Sequence, residues 1–408
     1  MTSSLKPNTP PSAPEPEQQV EPEASTGPCI LQVLPRLETG GVERGTVDIA
    51  VAIMRAGWRA IVVSAGGPMV RELDRAGAKH ITLPLDSKNP LVIRRNIDRL
   101  ADVIAAHRVD LVHARSRAPA WSAWYAARRA RVPFVTTFHG TYNVENRLKR
   151  MYNAIMTRGH RVIAISEFIG RHVVETYGIS PSLVRVIPRG IDVANFDVAR
   201  VSAERVMQLA RAWRLPDDVP IIMLPGRLTR WKGQTVLIDA LAQLGRRDIC
   251  CLLVGSDQGR ANYRAEIEQL VRARGLEGVV RAVDECRDMP AAFKLADVVV
   301  HASTDPEAFG RVIAEAQAMG RPVIATDHGG APEIVIPGVT GWLVPPSDPA
   351  ALAAALNEAL SLTPEQRAQL SETASAHVRE RFSRDQMCAA TLAVYEEVLH
   401  EAAGAART

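Results

Sequence analysis

From Cys29 onward the chain alternates short, nearly unbroken apolar runs with longer stretches in which apolar residues recur every three or four positions. The short runs are CILQVLP at 29–35, RAIVVS at 59–64, HITLP at 80–84, VDLVHA at 109–114, PFVTTF at 133–138 and RVIAIS at 161–166. They are the length of buried strands rather than helices. The intervening residues 41–57, 67–77, 90–107, 117–130 and 144–159 carry helical spacing. This alternation predicts an α/β fold, a parallel sheet covered by helices on both faces. The rhythm restarts after Asp192 with VPIIML, CCLLVG, VVRAV, ADVVVHA, RPVIAT and GWLVP. Two doubly wound domains in tandem are the simplest organisation, with a boundary within residues 192–218, where Pro216, Asp217 and Asp218 open the second strand series. Further helical stretches follow at 348–361, 363–381 and 383–402.

Residues 1–27 break the pattern. They are rich in proline and glutamate and almost devoid of apolar side chains, so they cannot bury enough surface to offset their ordering entropy. A disordered tail is expected there. A basic stretch followed by an apolar one, the mark of a signal peptide, is not visible, and no run approaches the roughly 18 apolar residues of a membrane span. The 408 residues are 47% apolar and 23% charged, an ordinary globular balance that excludes collagen-like and coiled-coil chains. Five cysteines, scattered and without C-x-x-C spacing, suggest neither a disulfide framework nor a zinc site and point to a reducing cytoplasm.

Net charge changes the picture more. The overall +4 divides into −3 for residues 1–27, +12 for 28–200 and −5 for 201–408. A basic first half joined to an acidic second half implies anionic partners for the first. Nucleic acid, an acidic membrane surface and a phosphorylated acceptor all remain open on charge alone.

Open parallel sheets bind ligands beyond the carboxyl ends of their strands, so the loops that follow strands hold the candidate chemistry. After the first strand, Gly40 and Gly41 lead into a helix. Adjacent glycines admit a ligand close to the backbone, and the helix start offers free N–H groups to an anion. The loop is neither G-x-G-x-x-G nor G-x-x-x-x-G-K-[ST], which weakens dinucleotide-oxidoreductase and P-loop readings. Arg115 and Arg117 follow the fourth strand, either as ligand contacts or as a solvated helix start. His139, Gly140 and Asn143 follow the fifth. Residues 147–160 form a basic amphipathic stretch in which Leu148, Met151, Ile155 and Met156 fit a core stripe, with a membrane-facing surface as the alternative.

In the second half, Gly226, Arg227 and Lys232 sit between a strand and a helix, a guanidinium and an ammonium suited to phosphate. A second glycine turn stands at Gly255. Glu307 ends a loop, Phe309-Gly310-Arg311-Val312 opens a helix, and Glu315 lies eight residues after Glu307. Carboxylates accept hydrogen bonds from sugar hydroxyls, and the helix start between them suits a diphosphate.

Taken in order, the Gly40-Gly41 loop, His139-Gly140, VIPRGID at 186–192, GRLTRWKG at 226–233, the Glu307/Glu315 pair, TDHGGAPEIV and TGWLVPP resemble retaining nucleotide-sugar glycosyltransferases of family 4, with the GT-B fold. The stretch PEAFGRVIAEAQAMGRPVIA is similar to that of bacterial enzymes building lipopolysaccharide cores and other surface glycans. The resemblance implies two Rossmann-like domains facing a cleft: an acceptor-side domain over 28–195, a nucleotide-sugar domain over 196–380, and a C-terminal helix over 381–408 packing back on the first. By carry-over, Arg227 and Lys232 neutralise the leaving diphosphate, Glu315 binds the ribose and Glu307 the donated sugar. Gly226, Gly255, Phe309, Gly310, Arg311 and Val312 bring backbone groups to sugar and phosphate. Gly40 and Gly41 approach the diphosphate from across the cleft, and His139 sits beside sugar and acceptor.

Arg189 departs from the family, which often has asparagine there. Arg115, Arg117 and Asn143 fall on the acceptor side, where the +12 charge suggests a glycan or lipid-linked anionic acceptor and peripheral contact with the inner face of a membrane. Nucleic acid is not expected as a partner, because stacking aromatics do not accompany the arginines. With no D-x-D in the chain, metal independence is expected, and no cofactor beyond the sugar donor. A GT-B nucleotide-sugar epimerase and a non-catalytic nucleotide-sugar-binding scaffold at the membrane are the alternatives. A phosphorylase-like enzyme would need a pyridoxal phosphate lysine, for which the sequence offers no context.

Overall fold

The computed structural model describes residues 27–142 and 144–405. Asn143 and all but the last residue of the predicted tail lie outside the described residues. The first sheet has seven parallel strands, β1 (Cys29–Val33), β2 (Arg59–Ser64), β3 (Lys79–Thr82), β4 (Leu111–Ala114), β5 (Phe134–Phe138), β6 (Arg161–Ala164) and β7 (Val184–Val186), in the order 3-2-1-4-5-6-7. The second has six: β8 (Ile221–Pro225), β9 (Cys250–Val254), β10 (Val280–Val283), β11 (Val298–His301), β12 (Val323–Thr326) and β13 (Trp342–Val344), in the order 10-9-8-11-12-13. The apolar runs are continuous rather than alternating because both faces of each sheet are covered. Every residue of β1, β5, β8 and β9 is buried.

In each sheet the strand order reverses once, between β1 and β4 and between β8 and β11. A crevice opens at such a point because successive connections leave on opposite faces. The loops after these four strands carry Gly40, Arg115, Gly226 and Glu307.

Three elements went unpredicted, among them the Ala203–Ala212 helix within the expected boundary region. β7 is a half-buried edge strand whose VRV pattern reads as polar alternation. The Glu167–Tyr177 helix starts at Ser166, whose hydroxyl accepts the Ile169 N–H (3.1 Å). One expectation is corrected. Residues 144–159 are not one helix but an Arg147–Asn153 helix followed by a tight Ala154–Thr157 turn. The change of pitch rotates the phase, so Ile155 and Met156 are buried whereas Leu148 and Met151 are 73% and 61% exposed. The supposed core stripe ends in solvent, flanked by Arg147, Lys149 and Arg150. Trp121 and Trp124, on the Arg117–Ala130 helix, are half-buried. The Trp121 indole N–H donates to the Tyr152 carbonyl, and Arg128 and Arg158 cover Trp124.

The Pro364–Arg381 helix packs on the second domain, against the Arg311–Ala318 helix. The chain then turns at Phe382-Ser383, where the Ile191 N–H donates to the Phe382 carbonyl (2.9 Å) and the Arg384 N–H to that of Ile191 (2.8 Å). From there the Arg384–Ala405 helix lies on the first domain. Its Tyr395 is fully buried and hydrogen-bonded to His113 Nδ1 (2.6 Å), and its Glu397 bonds Arg161 and Arg185. No described helix is long and apolar enough to cross a membrane.

Candidate active site

The two crevices face each other. The Ser166 hydroxyl of the first domain donates to the Ala308 carbonyl of the second (2.6 Å). In return, the Glu333 carboxylate accepts the backbone N–H groups of Glu167 (2.8 Å) and Phe168 (2.7 Å).

On the second domain, β8 runs into Gly226 and the exposed Arg227. A side chain at Gly255, in the turn after β9, would place its Cβ 2.1 Å from the Gly226 carbonyl oxygen. Glycine there lets the two loops touch. Lys232 folds back along Gly226, passes 4.3 Å over the Trp231 ring, and ends on Glu307 Oε1. His301 Nε2 and the Ser303 hydroxyl lie 3.3 Å from the same oxygen. Burial would raise the Glu307 pKa, but the His301 hydrogen bond and the charges of Lys232 and His301 outweigh it and bring it to about 2. No described residue donates to Oε2, which leaves that oxygen for hydroxyls.

Gly310, with φ of 101°, opens the Arg311–Ala318 helix without a side-chain cap, and a Cβ there would press on Ile313 (2.9 Å). The Arg311 and Val312 N–H groups are therefore left to a ligand. Phe309 contributes only its backbone, since its ring is buried edge-on against Phe382. Glu315 is buried and bonded to Arg311 Nη2 (2.6 Å). Burial raises its pKa while Arg311 opposes the rise. It lines an interdomain cleft of about 440 Å³ together with Asp192, Arg287, Met289 and Arg384.

On the first domain, Gly40 and Gly41 start the Gly41–Arg55 helix, again uncapped by a side chain, and share a pocket with Arg311 of the other domain. His139 Nδ1 lies 3.0 Å from Arg189 Nη1. A guanidinium can only donate, so Nδ1 accepts and the proton sits on Nε2, which has no partner. Burial, then Arg189, Arg115 and His113, hold the His139 pKa well below its usual value, so the ring is neutral. A Cβ on Gly140 would lie 4.0 Å from the Ala308 side chain, which sets His139-Gly140 beside Glu307.

Arg115 and Arg117 part company. Arg117 bonds Asn153 (2.9 Å) and lies 4.2 Å over the Tyr142 ring, whereas Arg115 is buried beneath the Gly41–Arg55 helix. The sequence reading missed His301, Ser303 and Glu333. A histidine closing the apolar run ADVVVHA was the available signal for His301. Glu333 lies within the TDHGGAPEIV segment, but nothing local marked its partners, which are 165 and 166 residues away. Among the described residues, no group of three His, Cys, Asp or Glu side chains could hold a metal.

Residues 39–195 match the family described as Glycosyltransferase Family 4, and residues 208–377 match Glycosyl transferases group 1. A D-inositol 3-phosphate glycosyltransferase from Xylanimonas cellulosilytica is 33% identical over 312 residues, 72% of this chain and 74% of the relative. Among solved structures, a glycosyltransferase from Rickettsia africae ESF-5 is 39% identical, with a TM-score of 0.86 over 92% of this chain and 99% of that one. Anabaena Alr3699/HepE in complex with UDP and glucose is 27% identical, with a TM-score of 0.77 over 90% and 99%. With two parallel-sheet domains facing one cleft and these matches across both, the chain belongs to the family 4 glycosyltransferases of GT-B fold.

Proposed function

We propose that the protein transfers a sugar, with retention of configuration, from a nucleoside diphosphate sugar to a hydroxyl of a phosphorylated, glycan- or lipid-linked acceptor. The carrying observation is the cluster at the mouth of the Arg311–Ala318 helix. Glu307 has one oxygen tied to Lys232, His301 and Ser303, and one without a described donor. A carboxylate held near 2 stays ionised at neutral pH, so it accepts sugar hydroxyls and serves neither as acid nor as proton shuttle. Lys232, Arg227 and the free Arg311 and Val312 amides surround the place of a diphosphate, where negative charge develops as the sugar leaves. Glu315, one turn into the helix, is left for the ribose.

Among the described residues no side chain needs to be named as a nucleophile, with Glu307 given to sugar hydroxyls, which favours a same-face reaction in which the leaving phosphate takes the acceptor proton. The neutral His139 supplies an Nε2–H beside the sugar. Fixed cations and helix amides stand where a divalent metal would stand, so EDTA is expected to leave turnover unchanged. The phosphorylated acceptor draws on the +12 first domain and on relatives named for inositol 3-phosphate. A role in surface-glycan synthesis at the inner membrane face draws on the exposed Leu148 and Met151 among basic neighbours.

Saturation-transfer NMR against UDP-, GDP- and ADP-sugars tests the donor. Binding of one series, with nucleotide released only when acceptor is present, is the expected result. Binding of none would overturn the reading, and conversion of the sugar without acceptor would indicate an epimerase.

A further inference from the structure

Arg227 and Lys232 share one indole. The Lys232 ammonium lies 4.3 Å from the centre of the Trp231 ring, and the Arg227 guanidinium lies 6.0 Å from it. The face of an aromatic ring carries negative potential and attracts a cation within about 6 Å. Both cations assigned to the leaving diphosphate stand within that reach. Adjacency in sequence accounts for Lys232 meeting the ring, but not for Arg227, four residues before it.

The two cations are otherwise held very differently. Lys232 is largely buried and paired with Glu307. Arg227 is exposed, and among the described residues no carboxylate pairs with it and no hydrogen bond fixes its guanidinium. Its backbone is fixed. Gln234 Nε2 donates to the Arg227 carbonyl (3.0 Å), and the Leu228 N–H donates to the Ser256 carbonyl (3.0 Å). The guanidinium has the indole alone. A long side chain that must be ordered by its ligand weakens binding through lost rotamer freedom, whereas a guanidinium stacked on an aromatic face is already placed.

Trp231 is itself anchored. It is half-buried, and its carbonyl accepts the Thr304 N–H (2.8 Å). Two residues on, Gly233 has a φ of 72° and packs so closely on the end of β11 that a Cβ would collide with the Ala302 carbonyl. Ala302 and Thr304 belong to the stretch that runs on to Glu307. The ring therefore has a fixed place relative to both the cation loop and the carboxylate.

We propose that Trp231 is a positioning residue for the transfer reaction, its ring holding the Arg227 guanidinium and the Lys232 ammonium beside the diphosphate position before the donor arrives. This rests on the assignment of those two cations to the leaving diphosphate. Preorganised charge needs no reordering as the leaving group forms, so loss of the ring is felt at the diphosphate and not at the nucleoside.

The test uses the full chain and calorimetry, with UDP, uridine and inorganic pyrophosphate as probes. Wild type is expected to bind UDP more tightly than uridine, the difference being the diphosphate. Trp231→Leu is expected to weaken UDP and pyrophosphate binding about fivefold or more, with uridine within twofold of wild type, and Trp231→Phe, which keeps a ring, should fall between. Leucine also changes the packing of the turn, so tryptophans bearing one, two and three ring fluorines are placed at position 231 alone. Fluorine drains the potential of the ring face while leaving its shape almost unchanged. Affinity for UDP and pyrophosphate is expected to fall stepwise along the series, about fivefold in all. A packing role would leave the series flat, and a flat series, or an equal loss of uridine and UDP, would overturn the proposal. Failure of wild type to bind UDP or pyrophosphate at all would instead break the diphosphate assignment, a result distinct from both.

Discussion

Glu333 offers the most direct perturbation of domain closure, because it caps a helix that belongs to the other domain. The first three amides of the Glu167–Tyr177 helix are all satisfied: Glu167 and Phe168 by Glu333 at 2.8 and 2.7 Å, and Ile169 by Ser166 at 3.1 Å. Only the Ser166 cap survives if the domains part. An N-cap side chain is worth about 1 kcal/mol, and a carboxylate at a partly buried helix N-terminus up to about 2. Glu333→Ala is therefore expected to disfavour the closed arrangement by about 2 kcal/mol, roughly a thirtyfold shift at about 1.4 kcal/mol per tenfold.

The consequence reaches the site through one loop, since the Gly330 N–H donates to the Glu307 carbonyl (2.8 Å) and Ala308 meets Ser166 and Gly140. Opening moves Glu307 away from His139. Turnover is expected to fall ten- to thirtyfold, while affinity for the donor nucleotide, assigned above to the second domain, changes less than threefold. Glu333→Gln, which keeps one acceptor oxygen, should fall between. Steady-state kinetics and hydrogen exchange at the Glu167 and Phe168 amides read the two sides of the argument. Unchanged exchange at those amides, or turnover within twofold of wild type, would refute it.

Arg227→Ala and Lys232→Ala should each reduce turnover by roughly 10²–10³, the usual effect of removing one electrostatic donor from a developing charge; near-normal rates in both would move the diphosphate elsewhere. The Glu307 pKa is depressed from 4.5 to about 2. Its contribution to stability is therefore present above pH 4.5 and lost as pH falls towards 2. Urea unfolding of wild type and Glu307→Gln across that window should converge at the acid end, and a constant difference between them would contradict the assignment. Binding to vesicles should rise with anionic lipid content, fall with salt, and weaken in a Leu148→Ser/Met151→Ser double variant; equal binding to neutral and anionic vesicles would remove the membrane contact.

The sheets were legible because each central strand is buried on both faces, and so prints a continuous apolar run that needs no partner to be recognised. β7 was not, because a half-exposed edge strand of three residues carries too little apolar signal. The Arg147–Asn153 helix misled for a different reason. A stripe at i, i+4 spacing assumes one pitch, and the chain tightens after Asn153, which sends Leu148 and Met151 outward while Ile155 and Met156 go in. At the site, loop position singled out Arg227, Lys232 and Glu307 as candidates, since these follow strands at a reversal of sheet order, and Glu315 was a candidate through its spacing from Glu307 on the helix that follows. Their pairings were invisible, because whether Lys232 faces solvent or Glu307 depends on the path of a loop 75 residues away.

The electrostatics of the cleft divide along the same line as the domains. The second domain is acidic overall, yet it is the half assigned to an anionic donor, and the resolution lies in how its cations are held. Lys232 is paired with Glu307 and Arg311 with Glu315, so each cation is oriented and its charge balanced before any ligand arrives. A diphosphate then meets aligned dipoles and ammonium groups rather than a bare field, and the carboxylates remain for hydroxyls of sugar and ribose. In the first domain the logic is reversed. Arg115 and Arg189 are buried without carboxylate partners, and Arg117 is spent on Tyr142 and Asn153. A balanced pair tolerates an empty site, whereas an unbalanced one gains stability when an anion enters. The first domain therefore stands to be stabilised more by an anion than the second. Melting curves with phosphate alone and UDP alone should show it: the larger shift is expected for phosphate per unit of site occupancy, and a larger shift for UDP would place the unbalanced charge on the donor side after all.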